Sequence, residues 1–581
     1  MYILGLATMG ASAACLFRDG TLIAAVEEER LSRIKNDGAF PSRAIAECLR
    51  IAGIGIGDVH EIAVYWQPWR LRRRVLGTLG KGLGGADAMR GVASRVNAFF
   101  LRRAPDAARP EDGGSWRHLF RLRAMIAREI GPTRARIRFH DHHASHQRYA
   151  EAMIDPGELI SLSYDGGGES ASTVVTVVGE GGRKRVSTHD WPNSLGHFYS
   201  TFTGYLGFRM LEGEYKMMGL APYGTPRWKE ALLEHVLKLE PGGRYRLDTR
   251  LCDYHAALQG RFPARLAELF CAPRAPDETP STDHIDLAAS VQAAQEAVLD
   301  HILAPLRDSH PQIRRLVVSG GCALNVTANG KLIESGRFDR VAIPPAPHDA
   351  GCAIGAAMLS LPTGVDTVSL RSPYLGAGFT AAEIEEALAP HLLRLPEPLS
   401  DEDLVEQVAA LLEEGRIVAW FQGRAEFGPR ALGARSFLAD PRRDEIREDI
   451  NAKIKKRELF RPFAPSVTEE AAADFFEIDQ PSPYMNIVSK VRPARRSEIP
   501  AVTHTDGTAR VHAVPRAANL LYHALLSEFG RRTGVPVLLN TSFNIQEPIV
   551  YDPGQALATF RASGVDALAI GPYLVTRDML A

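Results

Sequence analysis

The sequence predicts a protein of two α/β domains, the first of them built from a duplicated unit. A chain of 581 residues is too long to fold around one hydrophobic core, so at least two domains are expected. Two strands joined by a turn of small polar residues occur near the N-terminus and again at 159–178. Helix and strand signals alternate between about 284 and 358, which is typical of α/β domains.

The duplicated unit is a set of apolar strands around a glycine-containing turn. The apolar runs that mark its strands lie at 2–7, 13–17, 21–26, 159–164 and 172–178. The turn in the second copy reads Asp165-Gly-Gly-Gly-Glu169. Amides in such turns can clasp a phosphate between two lobes, so the repeat indicates nucleotide binding.

The remaining elements define the domain boundary. Residues 286–303 are helix-like, and a buried strand from Leu316 enters the Gly320-Gly321 turn before a helix. A stretch containing Pro, Gly and Ser at 361–379 is the best linker, so we expect domains at 1–360 and 380–581. The run 417–421 is a strand of the second domain.

The first domain contains a strongly basic insertion at 70–138. It has 17 Arg and Lys residues against five Asp and Glu, with apolar residues interleaved at helical spacing, as in 120–128. A solvated helical insertion and a surface for an anionic or membrane-associated acceptor are both compatible with this pattern.

Composition excludes several classes of protein. The formal net charge of −1 gives no general bias toward nucleic acid or a membrane surface. We find neither a signal peptide nor a run of 18 apolar residues. The six cysteines are scattered without a CxxC pair, which argues against a zinc ribbon or a disulfide framework. A cytoplasmic protein without a membrane span is therefore expected.

Four residues form a candidate metal site. His142 and His146 are four residues apart, so on a helix both imidazoles lie on one face. Asp165 and Asp349 lie in glycine-flanked turns and add two carboxylates. Two histidines and two aspartates suit a borderline divalent ion such as Fe, Mn or Zn, although a histidine cluster alone also fits solvated or core residues.

The second domain carries a dense cationic group that suits an anion site. Its members are Arg424, Arg430, Arg435, Lys453, Lys455, Lys456, Arg457 and Arg461. Prolines and aromatic residues lie among the charges of 455–465, which favours a walled pocket over a solvated run. Asn540 and Ser542 follow a buried strand at 535–539 and add neutral donors. Together they describe a phosphate or acyl-phosphate site.

In order and over nearly its full length, the chain resembles the NodU/TobZ-type carbamoyltransferases. The matching segments are Val26-Glu-Glu-Glu-Arg-Leu-Ser-Arg33, Asp141-His-His-Ala-Ser-His146, Tyr164-Asp-Gly-Gly-Gly-Glu169, Glu212-Gly-Glu-Tyr-Lys-Met-Met-Gly-Leu-Ala-Pro-Tyr-Gly224, Gly320-Gly-Cys-Ala-Leu-Asn325, Asp349-Ala-Gly-Cys-Ala-Ile-Gly355, Glu426-Phe-Gly-Pro-Arg-Ala-Leu-Gly-Ala-Arg-Ser436, 455–465 and Asn540-Thr-Ser-Phe-Asn544.

The resemblance implies an actin-like (ASKHA), ATP-binding first domain and a second domain similar to YrdC. It implies that the second domain makes carbamoyl-adenylate from carbamoyl phosphate and ATP, and that the first transfers the carbamoyl group to a small-molecule, natural-product-like acceptor. It also implies ATP accompanied by Mg²⁺, and Fe²⁺ as the metal held by His142, His146, Asp165 and Asp349.

Carried onto this chain, the resemblance implies three further sets of site residues. Nucleotide and phosphate contacts in the first domain fall on Gly166, Gly167, Gly168, Glu169, Glu214, Lys216, Gly320, Gly321 and Asn325. Catalytic residues of the second domain fall on Lys455, Arg457 and Arg461, and further anion contacts fall on Arg424, Arg430, Arg435, Arg510, Asn540 and Ser542. Asn36 and Asp37 are the expected catalytic residues at the acceptor side.

One departure bears on the acceptor. The family usually has His-Asp where this chain has Met9-Gly10, and Lys-His-Asp where it has Lys35-Asn36-Asp37. The first missing histidine is the family's candidate base, whose loss typically costs about 10²–10⁴-fold in rate. The acceptor is then an amine or another self-activating nucleophile, His143 or Asp37 is the base, or transfer is altered, with cyclisation or elimination as its outcome. A nucleotide-binding module without turnover is the remaining alternative.

Overall fold

The computed structural model describes residues 1–71, 119–362, 367–458 and 460–581. Most of the basic insertion expected at 70–138 therefore lies outside the described residues. Within its described C-terminal part, a helix at Leu122–Glu129 buries Leu122, Met125 and Ile126. In the parts of the chain that are described, no helix is both long and apolar enough to cross a bilayer.

The described residues form two compact units. The first comprises 1–28 and 36–371, and the second comprises 29–35 and 372–581. The boundary at 371 falls inside the predicted linker 361–379. The inclusion of 29–35 in the second unit has no counterpart in the sequence-based prediction.

The first unit contains two five-stranded sheets with the same topology. Their orders are β3-β2-β1-β4-β5 and β8-β7-β6-β11-β12, with β9 and β10 as a separate pair. In each large sheet three antiparallel strands are followed by two parallel ones. The predicted duplication is thus confirmed. The strands are β1 Tyr2–Ala7, β2 Ala13–Arg18, β3 Thr21–Glu27, β4 Val59–Val64, β5 Arg136–Phe139, β6 Leu159–Tyr164, β7 Ala171–Gly179, β8 Gly182–Asp190, β9 Leu237–Glu240, β10 Arg244–Leu247, β11 Arg315–Ser319 and β12 Arg340–Ala342.

Helices surround these sheets, and two of them pack unusually closely. The helices are α2 Ser42–Ala52, α3 Leu122–Glu129, α4 His142–Glu151, α5 Leu195–Tyr205, α6 Glu214–Leu220, α7 Lys229–His235, α8 Tyr254–Ala257, α9 Ala264–Leu269, α10 Thr282–Ser309, α11 Val326–Glu334, α12 Asp349–Ser360 and α13 Thr367–Arg371. Helix α1, Glu28–Ser32, begins at Glu28 of the first unit, and its other residues belong to the second. A Cβ at Gly355 of α12 would lie 1.8 Å from the carbonyl oxygen of Ser145 in α4, and one at Gly5 would lie 2.1 Å from the Ala353 carbonyl oxygen. Glycine at these positions lets α12 lie directly against α4 and β1.

The second unit is built on one mixed seven-stranded sheet, ordered β18-β15-β19-β14-β13-β20-β21, with β16 and β17 as a separate pair. Apolar cores cover both of its faces, one including Phe437 and Leu539 and the other Trp420 and Leu538. The strands are β13 Val418–Phe421, β14 Arg435–Ala439, β15 Ala464–Thr468, β16 Val488–Lys490, β17 Thr508–Arg510, β18 His512–Val514, β19 Val537–Ser542, β20 Ala567–Ile570 and β21 Tyr573–Thr576, and the helices are α14 Ala381–Leu388, α15 Asp401–Glu413, α16 Glu445–Asp449, α17 Ala472–Phe475, α18 Leu520–Thr533 and α19 Pro553–Ala562. Each unit therefore has the predicted α/β class.

Candidate functional site

Helix α4 presents the paired histidines of the first unit. Asp141 caps the helix, its Oδ1 accepting from the Ala144 amide at 3.0 Å, so the helix begins at His142. His142 and His146 lie one turn apart on the same face, and both are buried. Asp165 directly follows β6 and Asp349 is the first residue of α12.

The structure brings all four predicted metal ligands together. Nε2 of His142 lies 2.9 Å from Oδ2 of Asp165, and Nε2 of His146 lies 3.4 Å from the same oxygen and 3.6 Å from Oδ1 of Asp349. One ligand atom from each of the four residues lies within 4.8 Å of the others. These four side chains therefore converge on a single point.

Backbone amides aim the Asp165 carboxylate at the histidines. Its Oδ1 accepts from the amides of Gly166 at 2.7 Å and Gly321 at 3.1 Å, which leaves Oδ2 facing the imidazoles. A Cβ at Gly321 would lie 2.8 Å from that Oδ1, and one at Gly168 would lie 2.9 Å from Cδ2 of His143. Gly321 and Gly168, two of the glycines predicted to bind phosphate, thus let the carboxylate and the imidazole ring approach the backbone closely.

Three other side chains hold or extend this centre. Glu169, a predicted nucleotide contact, accepts from the backbone amide of His142 at 3.2 Å. Sequence reasoning missed the other two. The Tyr65 hydroxyl donates to the Met9 carbonyl oxygen at 2.7 Å and lies 3.2 Å from Oδ2 of Asp349. Cys352 forms a second possible ligand set with the two histidines, and its position one turn after Asp349 was the signal available in the sequence.

The donor set fits a divalent metal ion. Nε2 of His146 is buried and, within the described parts of the chain, has no well-aligned hydrogen-bond partner, which is costly unless a further partner binds there. Burial opposes ionisation of Asp165, but contact with the His142 and His146 rings lowers its pKa well below the usual range. Two imidazoles facing two carboxylates are suitable ligands for Fe, Mn or Zn.

Glu214, Asn325 and Lys216, three other predicted nucleotide contacts of the first unit, interact with neighbouring residues of that unit. The Glu214 carboxylate accepts from the Ser200 hydroxyl at 2.6 Å, and burial raises its pKa. Oδ1 of Asn325 caps α11, and its side-chain amide donates to Gln292 at 3.0 Å. Nζ of Lys216 lies 6.0 Å from the centre of an aromatic ring, that of Phe208.

The glycine turns and the acceptor-side residues complete this set. Gly167 and Gly320 have φ values of +152° and +93°, and the Gly320 amide donates to the Pro347 carbonyl oxygen at 2.8 Å. Asn36 has φ +50° and its side chain donates to the Leu211 carbonyl oxygen at 3.4 Å. Asp37 is buried, and its Oδ1 accepts from the Ala39 amide at 2.8 Å.

The second unit gathers five of the predicted cations into one group. We call Arg430, Lys455, Arg457, Arg461 and Arg510 the cationic cluster. Burial and then Arg461 lower the pKa of Arg430 to about 10. Burial lowers the pKa of Arg510 well below its usual range, and Arg430, Arg457 and Arg461 lower it further. Cations held this close together are a candidate site for an anion, whose charge would offset their repulsion.

Backbone and amide groups aim the lysine of the cluster. Lys455 ends one turn of π-helix, Ile450–Lys455, a form often found at functional sites. Its Nζ donates to Oδ1 of Asn544 at 2.7 Å, to the Asn544 carbonyl oxygen at 2.8 Å, and to the carbonyl and hydroxyl oxygens of Ser542. Burial, followed by the charges of Arg457 and Arg461, lowers the pKa of Lys455 well below its usual range.

Arg457 and Arg510 of the cluster, and the predicted anion contact Asn540, have the following partners. Nε of Arg457 donates to Oδ1 of Asn451 at 2.6 Å, and Nε of Arg510 is buried without a hydrogen-bond partner among the described residues. The Asn540 side chain donates to Oγ of Ser466 at 2.9 Å, so it holds β19 against β15. Sequence reasoning missed Asn544, although it ends the quoted segment Asn540–Asn544.

Two predicted anion-binding arginines are not brought into the cationic cluster. Arg424 donates to the carbonyl oxygens of Leu375 and Gly376, both at 2.8 Å. Arg435 is fully buried, donates to the Gln422 carbonyl oxygen at 2.9 Å, and lies 3.6 Å over the Phe421 ring. Their guanidinium groups tie backbone segments together, which leaves fewer donors for a ligand.

Comparison with known proteins covers both units. The Carbamoyltransferase N-terminus model matches residues 2–358, and the Carbamoyltransferase C-terminus model matches residues 409–577. An uncharacterized protein of Synechocystis sp., sll1178, is 38% identical over 608 residues, which cover 97% of this chain and 95% of the relative. Nodulation protein NolNO of Sinorhizobium fredii is 38% identical over 578 residues, covering 97% and 78% of the two chains.

Solved structures resemble the chain more distantly. HypF of T. kodakarensis is 16% identical, with a TM-score of 0.29 over 62% of this chain and 47% of that chain. A phosphate- and nucleotide-bound form of full-length HypF is 14% identical, with a TM-score of 0.30 over 62% and 55%.

The two family models match in order and together span most of the sequence. The chain therefore belongs to the carbamoyltransferase family, and it is an enzyme of carbamoyl transfer.

Proposed function

We propose that the chain forms carbamoyl-adenylate from carbamoyl phosphate and ATP in its second unit and transfers the carbamoyl group to a small-molecule acceptor in its first. In this proposal the first unit is an actin-like nucleotide-binding domain, and the second resembles YrdC. The duplicated sheet topology of the first unit supports the actin-like assignment.

The cationic cluster is the observation that carries the proposal. Its side chains are buried or partly buried, and burial together with neighbouring cations lowers the pKa values of Arg430, Lys455 and Arg510. Nζ of Lys455 donates to four oxygen atoms of two residues. Glu458 forms an ion pair with Arg461 at 3.8 Å and so offsets one of the five positive charges of the group. A polyanion such as the triphosphate of ATP relieves this repulsion when it binds.

The proposed chemistry needs three bond exchanges. Water first releases carbamate and phosphate from carbamoyl phosphate. A carbamate oxygen then displaces pyrophosphate from the α-phosphorus of ATP, which gives carbamoyl-adenylate. Finally the acceptor attacks the carbamoyl carbon, AMP leaves, and the acceptor loses a proton. Lys455 and the arginines of the cationic cluster would hold the phosphates and stabilise charge on the departing pyrophosphate.

The first unit would carry out the transfer of the carbamoyl group to the acceptor. His142, His146, Asp165 and Asp349 would hold a divalent ion, with Fe²⁺ the ion that the resemblance favours. When bound, such an ion would supply charge neutralisation for phosphate oxygens. The amides of Gly166 and Gly321 would keep the Asp165 carboxylate turned toward the ion.

The residues at the acceptor side favour a nucleophile that needs no strong base. Met9 is fully buried and apolar, and Asn36 has no basic group. His143 has Nδ1 at 2.8 Å from the Ser163 hydroxyl and Nε2 at 3.0 Å from the Ala171 carbonyl oxygen, and burial lowers its pKa to about 3. An amine acceptor would attack without prior deprotonation, and Asp37 is the carboxylate available for an alcohol.

The first test is carbamoyl-phosphate-dependent release of pyrophosphate from ATP by the full-length protein with metal and Mg²⁺. We expect release by the wild-type protein and a loss of at least about 10²-fold in Arg457→Ala, because one preorganised charge partner is removed. Arg531, an exposed arginine of the same unit, provides the matched control Arg531→Ala, which should keep the wild-type rate.

The masses of the products then identify the acceptor chemistry. Gain of one carbamoyl unit by an amine or an alcohol supports plain transfer, whereas loss of water or of carbamate indicates triggered cyclisation or elimination. If the wild-type protein releases no pyrophosphate in the presence of metal and both substrates, the proposed adenylate chemistry is excluded.

A further inference from the structure

A seven-residue segment of the N-terminal sequence folds with the second unit. We call this segment, Glu29–Lys35, the strap. The chain leaves the first unit after Glu28, contributes the strap to the second unit, and re-enters the first unit at Asn36. The strap contains the cations Arg30, Arg33 and Lys35, and the proposed function assigns no role to them.

Arg33 donates hydrogen bonds from both terminal nitrogens of its guanidinium group to one loop of the second unit. Nη1 donates to the Ile549 carbonyl oxygen at 2.8 Å, and Nη2 donates to the Pro548 carbonyl oxygen at 2.6 Å. The backbone at Arg33 is left-handed, with φ +63°. A planar fork bound to two successive carbonyl groups fixes both the position and the orientation of this stretch of backbone.

The loop that Arg33 contacts, 543–550, contains Asn544, the main hydrogen-bond partner of Lys455. Oδ1 of Asn544 accepts from the lysine at 2.7 Å, and the Asn544 side-chain amide donates to the Glu547 carbonyl oxygen. The Glu547 carboxylate accepts from the amides of residues 545 and 546, each at 3.0 Å. Arg33 donates to the carbonyl oxygen of Pro548, which directly follows Glu547. Because Glu547 accepts from Asn544, a short chain of bonds links the position of Arg33 to that of Asn544.

Arg30 grips a second loop of the same unit. This side chain is 3% exposed, and its Nη2 donates to the Gly428 carbonyl oxygen at 2.5 Å. Gly428 has φ +117° and lies two residues before Arg430 of the cationic cluster. Arg30 lies in helix α1 and Arg33 directly follows it, so one short segment contacts both the loop before Arg430 and the loop that contains Asn544.

We infer that the strap is part of the carbamoyl-adenylate site, and that Arg30 and Arg33 are positioning residues that hold the loops bearing Arg430 and Asn544. The inference rests on the proposed function. The strap also adds charge, because Lys35 is one of the cations that depress the pKa of Lys455.

The test measures carbamoyl-phosphate-dependent pyrophosphate release by full-length Arg33→Ala and Arg33→Lys. We expect a fall of about 10- to 100-fold in Arg33→Ala, because small displacements of positioned groups have effects of this size. Arg33→Lys should retain more activity, since an ammonium group can reach one of the two carbonyl oxygens. Added guanidinium at millimolar concentration should restore part of the activity of Arg33→Ala, and methylammonium should restore less.

Arg50→Ala is the matched control, because Arg50 is an exposed arginine of the first unit paired with Glu47. It should keep the wild-type rate. Wild-type activity in Arg33→Ala would overturn the inference. So would a loss that neither guanidinium nor Arg33→Lys restores in any part, since that pattern indicates only a structural role. Absence of pyrophosphate release from the wild-type protein would instead exclude the proposed function itself.

Discussion

Replacing Arg430 with Met should stabilise the second unit while weakening its ligand binding. Lowering the Arg430 pKa from 12.5 to about 10 corresponds to about 3 kcal/mol of unfavourable free energy for the charged form, at about 1.4 kcal/mol per pKa unit. The side chain is only half-buried, and solvent screening reduces this to about 1–3 kcal/mol. Because Met has a similar length and no charge, Arg430→Met should raise the unfolding midpoint of this unit by roughly 2–4 °C per kcal/mol.

The assay is thermal unfolding of the full-length protein with and without ATP or pyrophosphate. In the wild-type protein, ligand at 100 times its Kd should add about 2.7 kcal/mol of stability. Arg430→Met should lose much of this increment, because a charged hydrogen bond contributes about 1.5–3 kcal/mol. Arg416→Met, at an exposed arginine paired with Asp566, should leave the ligand-induced increment unchanged. A variant that is less stable than wild type and gains equally from ligand would refute the reasoning.

Two further predictions concern metal binding and acid stability. Gly321→Ala would place a Cβ 2.8 Å from Oδ1 of Asp165, so the affinity for Co²⁺ or Fe²⁺ measured by titration should fall about 10- to 100-fold. The control Gly57→Ala has open space around the added Cβ and should bind the ion like wild type. Equal affinities of Gly321→Ala and wild type would contradict this prediction. Burial lowers the pKa of His512 to about 3, so the unfolded state binds more protons between pH 6.5 and 3 and stability falls as the pH falls through that window. His512→Gln should reduce the loss in unfolding free energy between pH 7 and 4.5 by about 2–3 kcal/mol in denaturant titrations, and an unchanged pH dependence would count against a buried neutral imidazole.

Local sequence patterns were sufficient for the strands that form the repeated part of the first unit. Apolar runs predicted β1, β2, β3, β6 and β7, and the repeat predicted that the first unit contains two similar sheets. These features depend on neighbours close in sequence, such as the alternation and turn at 159–178. The helical spacing of His142 and His146 likewise placed both rings on one face, because that spacing is a property of the helix itself.

The sequence could not separate arginines that bind backbone from arginines that face one another. Arg424 and Arg435 are as basic as Arg430 and Arg510, yet the first two donate to carbonyl oxygens from distant parts of the second unit. A charge in a sequence shows what a side chain can bind, whereas its partner depends on which segments fold against it. For the same reason the family motif ending at Arg33 gave no sign of its contact with Pro548 and Ile549.

By itself, then, the sequence determined the α/β class, the duplication, the family and the residue types of two candidate sites, since these follow from composition, periodicity and ordered motifs. Only the tertiary structure decided that Gly166 and Gly321 aim Asp165, that Asn544 holds Lys455, and that the strap joins the second unit. Each of these contacts joins atoms whose separation is set by packing, and packing depends on the whole fold at once.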